Sequence, residues 1–255
     1  MRTSLLLLSC LFLLSCTPVF YSTVGQNVPL FGKKEEAYLT GGIGVSFNKD
    51  ELSDVDGANF MGALAIDSSL AIMSSFNSFN ESYADTDGDL IGKGTYFELG
   101  IGKFNHGKKS KLAGEIFLGL GYGSIRNTYQ DQDANLKFIK PFIQPSGGFS
   151  SAMLDIALTP RISWVNYISK SGNSSIADDF YSKKKSTITF EPGVTIRLGY
   201  KNVKLQYQYT YSTFKYSFIS NDPPYEGQMV NPINNHFESL SVAVFISDRW
   251  VRKKK

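Results

Sequence analysis

A chain of 255 residues with a formal charge of +3 and a mean hydropathy of −0.15 is too polar for a bundle of transmembrane helices, and its charge gives no footing for nucleic acid. An apolar content of 42% suits one large β domain, soluble or membrane-spanning, so the choice falls to pattern. An aromatic content of 14% with many Gly and few Pro favours twisted strands with interfacial girdles.

At the start of the chain, Arg2 precedes an apolar run from Leu5 to Leu14, which at about ten residues is too short to span a bilayer as a helix and suits a signal-peptide core. The run ends in Leu13-Leu14-Ser15-Cys16, which resembles the lipobox of bacterial lipoproteins. That resemblance implies a signal peptide over 1–15, cleavage before Cys16 and acylation of its thiol. Cys10 would be lost with the leader, leaving no thiol for a disulfide or metal site. Residues 16–34, with Pro18 and Pro29 and no clear period, read as an extended, lipid-anchored periplasmic tether.

Ten strands follow. In the first, Ala37, Leu39, Ile43 and Val45 alternate with Tyr38, Thr40, Gly42 and Gly44. The second (Phe60, Leu64, Ile66) and third (Leu70, Ile72, Phe76) join at Asp67-Ser68, a tight turn. Ser78 to Gly94 reads as a polar loop before a fourth strand carrying Phe97, Leu99 and Ile101, and the fifth holds Leu112, Ile116, Leu118, Leu120 and Tyr122. The sixth, near Phe138 to Gln144, contains Pro141 with Pro145 just after it, each without a ladder donor, and is expected to be bulged or irregular. The seventh alternates Leu154, Ile156, Leu158, Ile162 and Trp164 with Asp155, Ala157, Thr159, Arg161 and Ser163. Strands eight and nine form the clearest hairpin, Thr187 to Ser212, with a turn at Tyr200-Lys201-Asn202, and the tenth carries Leu240, Val242, Val244 and Ile246. The period is two throughout.

An even strand number, short connections after even-numbered strands and longer ones after odd-numbered strands are the pattern of an outer-membrane barrel with short periplasmic turns and long outer loops. Apolar-face aromatics collect at the loop ends, at Phe47, Phe60, Phe76, Phe97, Tyr122, Trp164, Phe190 and Tyr209, as one girdle. The reading is an all-β, antiparallel up-and-down transmembrane β-barrel over 35–248 with a basic periplasmic tail over 249–255. The competing reading is a soluble barrel or sandwich whose apolar face points inward, since parity names two faces and not their solvents.

Tyr21, Asn27-Val28-Pro29-Leu30-Phe31, Ala63 to Met73, Phe142-Ile143-Gln144-Pro145 and Asp155 to Ser163 are similar to a group of uncharacterised outer-membrane β-barrel proteins of the Bacteroidota. The resemblance covers nearly all of the mature chain; it implies a location and no activity. Unlike many barrels, the chain runs on past Ile246 to Trp250 and a basic tail.

Chemistry is sparse. His106 and His236 are the two histidines; outer-membrane proteases of the omptin type, which resemble this architecture, need an Asp-His pair at the outer rim, where only His236 lies. No nucleophile elbow, phosphate loop or zinc spacing occurs, and no enzyme activity, metal or cofactor is expected. Asp85-Thr86-Asp87-Gly88-Asp89 reads as an Asp/Gly turn rather than a calcium loop, for lack of a closing Glu. Lys183-Lys184-Lys185 either meets lipopolysaccharide heads or is a solvated loop. Outer-membrane lipids are the expected partners.

Parity gathers Glu98, Glu115, Asp155 and Glu191 with Lys140, Arg161, Arg197 and Lys204 in the lumen. Four acids and four bases read better as a paired network filling a narrow interior than as a selectivity lining. The expected role is a plugged barrel lipoprotein acting structurally or through its surface loops, with a small pore and a rim-site hydrolase as alternatives. Mass spectrometry of the mature N-terminus is expected to find Cys16 acylated; an unmodified start elsewhere contradicts the anchor.

Overall fold

The computed structural model describes residues 20–45, 55–85, 88–106, 111–129, 131–200, 202–214, 218–220, 228–230 and 233–246. Residues 1–15, expected as a signal peptide, Cys16, Phe47 and the basic tail expected over 249–255 lie outside them. Ten antiparallel strands close into a barrel: β1 (Ala37–Val45), β2 (Val55–Ala65), β3 (Leu70–Asp85), β4 (Gly88–His106), β5 (Leu112–Tyr129), β6 (Gln132–Ser150), β7 (Leu154–Gly172), β8 (Ser186–Tyr200), β9 (Val203–Tyr211) and β10 (His236–Ile246). Each strand pairs with its neighbours in sequence, and β10 closes on β1 from Glu238↔Val45 to Ile246↔Ala37. Closure leaves no ladder edge, which is what a β structure needs in hydrocarbon.

The faces settle the question of solvent. Ile43 is 66% exposed and Leu158 62%, whereas Lys140, Arg161 and Arg197 are each 0%. Apolar side chains outside and charges inside are the inverse of a soluble protein, so the exterior is a lipid-facing band. Among the described residues no helix is long and apolar enough to cross a membrane; the strands do it. This is a transmembrane β-barrel of the bacterial outer membrane. Phe60, Phe76, Phe97 and Tyr122 stand in direct register across β2 to β5, a continuous run of the expected girdle.

Beyond that run the strands do not stop. About nine to eleven tilted residues cross a bilayer, yet β3 has 16 residues and β4 and β6 have 19. β3 and β4 pair out to Asp85↔Gly88, and β5 and β6 out to Tyr129↔Gln132. The stretch from Ser78 to Gly94, expected as a loop, is therefore largely strand. Its alternation changes sign: below Tyr122 the outward residues of β5 are Leu118 and Leu120, whereas above it they are Ser124 and Arg126, with Ile125 buried inside. β6 changes likewise, with Lys140 inward below and Leu136 inward above. Above the lipid, water is outside and the apolar residues turn inward. The outer wall is thus tall along β3 to β7.

The irregular sixth strand has its cause in proline. β6 and β7 share a bulge between Lys137 and Phe138, and their pairing lapses, in unchanged register, between Ile139 and Phe142 and again between Ile143 and Gly147, the two intervals that contain Pro141 and Pro145. Pro160 and Pro192 oppose each other between β7 and β8.

A helix not foreseen from the sequence, α1 (Ser175–Lys183), follows β7, and its Ile176, Ala177 and Phe180 are buried. Lys183 forms an i,i+4 ion pair with Asp179 at 2.6 Å, so the lysine cluster lies at a helix C-terminus, where cations are favoured, rather than in an irregular loop. Substituting Arg for Ile156, 41% exposed to lipid, is expected to lower folding stability by about 2–4 kcal/mol near mid-membrane. Urea titration in vesicles measures it; an unchanged midpoint would contradict the facing.

Candidate functional site: the filled lumen

Residues 20–31 are not a periplasmic tether. Phe20, Tyr21, Val24, Val28, Leu30 and Phe31 are all buried, and their contacts run from one mouth of the barrel to the other. Phe20 packs on Phe180 of α1 with ring centroids 4.8 Å apart, and its carbonyl accepts from the Tyr167 hydroxyl at 2.9 Å. Phe31, at the opposite mouth, packs on Phe104 at 5.5 Å. A turn then reverses the chain into β1, with Leu30 (φ 54) and Glu35 (φ 63) in the left-handed region that non-glycine residues rarely adopt. The Glu36 carboxylate closes that turn by accepting from the amides of Gly32 and Lys33.

This segment has almost no sheet of its own. Tyr21–Ser22 bridges in parallel to Ile233–Asn234, and below that point side chains of the wall satisfy its backbone. The Gln208 amide accepts from Gln26 N–H at 2.8 Å and donates to Gln26 C=O at 2.7 Å, as a neighbouring strand would. Gln144 donates to the Asn27 carbonyl at 2.6 Å, Arg197 donates to the Val28 carbonyl, and Leu30 N–H donates to Glu115 at 2.9 Å. In return, the Asn27 amide donates to the carbonyls of Gly62 and Ser74. Space for the segment comes from small wall residues; at Gly193 an added Cβ would lie 2.5 Å from Gln26 Oε1.

All eight charges that parity assigned to the lumen are buried, and the structure sorts them into two groups. In the first, Glu98 receives Arg161 at 2.9 Å and Lys140 at 3.2 Å, and Lys140 also lies 3.7 Å from Glu191. Glu191 further accepts from Ser163 and from the Tyr21 hydroxyl of the inserted segment. Arg161 is the register partner of Glu191, yet it reaches from β7 to Glu98 on β4, with Gln144 of β6 accepting from its Nε at 3.0 Å. The link is across the lumen and not merely between adjacent strands. Its guanidinium also covers the Phe142 ring at 4.4 Å.

In the second group, Asp155 takes Lys204 at 2.7 Å and lies 3.7 Å from Arg197, its register partner on β8. Gln206 accepts from Arg197 Nε and from the Tyr38 hydroxyl, each at 2.7 Å. The expectation that each acid faces a base needs one correction. Glu115 has no cation within 4.0 Å among the described residues, and its carboxylate accepts from the Leu30 amide at 2.9 Å. It receives the inserted segment instead of a basic side chain.

Apolar packing closes both ends of this charged belt. Toward the loops lie Phe20, Tyr21, Tyr96, Phe138, Tyr167 and Phe180, among others, with Phe214 stacked on Tyr21 at 4.8 Å. Toward the short turns lie Phe31, Tyr38, Phe104, Phe117 and Phe142. His236 takes no part. Its ring packs 5.0 Å from Tyr211 and 6.1 Å from Tyr209, on the outward parity of β10, where Leu240 is exposed. The Asp85–Asp89 stretch contributes the ends of β3 and β4, and no metal-ligating cluster occurs among the described residues.

No protein-family model matches the chain, and no curated protein does. Among solved structures, the chain is similar to the translocator domain of the autotransporter NalP from Neisseria meningitidis, at 9% identity and a TM-score of 0.40 over 84% of this chain and 89% of that one. It is also similar to OmpT, an outer membrane protein of Vibrio cholerae, at 8% identity and a TM-score of 0.28 over 83% and 96%. A bacterial polysaccharide outer membrane secretin matches at 7% identity and a TM-score of 0.24 over 86% and 100%. Scores this low carry no argument, and the membrane assignment rests on the barrel's own exterior.

The two kinds of lumen carboxylate are separable by experiment. Arg161→Ala leaves Glu98 with one cation in a dry interior and is expected to cost about 3–5 kcal/mol. Glu115→Gln keeps the acceptor for Leu30 N–H and is expected to cost about 1 kcal/mol. Equal losses of unfolding free energy in vesicles would contradict the distinction.

Proposed function

We propose that this protein is a sealed outer-membrane barrel, lipid-anchored through Cys16, whose role is structural or surface-interacting rather than conductive. The observation that carries the reading is the burial of residues 20–31 along the lumen, with their backbone held by Gln208, Gln144, Arg197 and Glu115. A ten-stranded interior is narrow, and this one holds a polypeptide as well as eight charged side chains. What remains available for interaction is the outer dome formed by the tall wall and α1. Outer-membrane lipids cover the apolar band, and the exposed Lys183 and Lys185 suit lipopolysaccharide head groups.

One observation favours a second reading, a pore closed by a removable plug. The inserted segment is held below Ser22 by side chains and not as an eleventh strand, and the facing wall residues Asn59 and Asn77 leave buried amides without hydrogen bonds. Such a plug leaves at the cost of hydrogen bonds that water replaces.

Planar-bilayer recording tests both. The refolded wild type is expected to be silent, and a variant lacking residues 17–31 is expected to conduct once heat-modifiable migration has verified that it folds. Gln208→Ala, which keeps the segment but removes its backbone partner, should give brief openings if the plug leaves reversibly. Steady ion-selective steps in the wild type would overturn the sealed barrel.

A further inference from the structure

The direction in which residues 20–31 run fixes where the chain before them emerges. Phe20 lies at the loop-side mouth, against Phe180 of α1 and Tyr167 near the top of β7. Phe31 lies at the short-turn mouth, beside Phe104 near the turn end of β4. Between them the lumen is occupied by the segment itself, by Arg161, Lys140 and Arg197 at 0% exposure, and by the aromatic cluster around Tyr21. A second passage back through the barrel has no room.

The geometry points to a chain that emerges ahead of Phe20 on the loop side of the outer membrane, so that a lipid on Cys16 would sit in the outer leaflet and not the periplasmic one. Cys16 stands four positions before Phe20, and four chain steps span at most about 14 Å when fully extended. From Phe20 to the short-turn mouth, the ten residues to Leu30 cover about 33 Å in extended form. Cys16 therefore cannot reach the leaflet on the short-turn side. The loop side, where Phe20 already lies, is within that reach. The barrel acts here as a conduit that its own residues 20–31 thread and seal.

This inference rests on the proposed sealed lumen and, for the leaflet, on the proposed Cys16 anchor; its test separates the exit of the chain from the sealing of the lumen. Single-cysteine variants Pro18→Cys, Lys185→Cys and Ser68→Cys in the full chain, expressed in intact cells, are treated with a membrane-impermeant maleimide before and after the outer membrane is permeabilised. Lys185 marks the loop side, after α1, and Ser68 marks the short turn between β2 and β3. Pro18→Cys is expected to label on intact cells to the extent of Lys185→Cys, while Ser68→Cys labels only after permeabilisation. Pro18→Cys labelling that follows Ser68→Cys, or no labelling in either state, overturns the exit at the outer mouth. Reversed reporters, with Ser68→Cys labelled on intact cells, overturn surface display. A silent bilayer trace together with Pro18→Cys labelled only after permeabilisation would leave the sealed lumen standing and remove this inference alone.

Discussion

The backbone of residues 20–31 is buried with almost no sheet to pair with, and a buried peptide group without a partner costs about as much as a lost hydrogen bond. The barrel supplies those partners from side chains, and the supply explains which polar residues line it. Gln208 presents an acceptor and a donor to one residue, Gln26. Arg197 is held by Asp155, Gln206 and Tyr38 while it reaches the Val28 carbonyl. Gln144 stands between the Asn27 carbonyl and Arg161, so the inserted chain and the ion-pair network form one hydrogen-bonded body. The charges are therefore scaffold for the segment as well as for the wall, and removing either leaves the other with unpaired buried groups.

A second constraint acts along the strands. The tall wall passes through two solvents, and each strand changes which parity is apolar as it leaves the lipid. Leu118 and Leu120 face lipid on β5, and Ile125 faces the interior a few residues further on. Above the girdle the barrel behaves as a soluble β protein with its own apolar core, to which Phe20, Tyr21 and Val24 contribute. The inserted segment is anchored at this end by aromatic packing, in the middle by charge and at the foot by Phe31 on Phe104.

The sequence made the wall legible and its contents illegible, for physical reasons. Facing in the lipid-crossing parts follows from a strict period of two bounded by tight turns, and it put all eight lumen charges on the inner face. Above Tyr122 and around Ser78 to Gly94 the strands carry no outward apolar face to announce them, because water replaces lipid outside and the apolar residues turn inward. The inserted segment has no period, since beyond Tyr21–Ser22 it is neither helix nor strand and takes its hydrogen-bond partners from many strands of the wall around it. What marked it was apolar density unusual for a linker, in Phe20, Tyr21, Val24, Val28, Leu30 and Phe31, and polar wall residues such as Gln206 and Gln208 with nothing assigned to bond them. α1 was not legible, because nine residues, with Ile176, Ala177 and Phe180 as the buried positions, are too few for periodicity to outweigh a loop reading. The long-range choice of Arg161 for Glu98 over its neighbour Glu191 depends on three-dimensional closure, which strand parity does not encode.

The account turns on whether residues 20–31 occupy the lumen of the folded protein. Hydrogen exchange of the refolded barrel reads this directly at the amides of Gln26 and Leu30, which donate to Gln208 and Glu115 inside the wall. The account expects those amides to be protected as strongly as the ladder amides of β7 and β8, and to lose protection only with the barrel itself. Free exchange at Gln26 and Leu30 in a barrel whose strands stay protected would place the segment outside and contradict it.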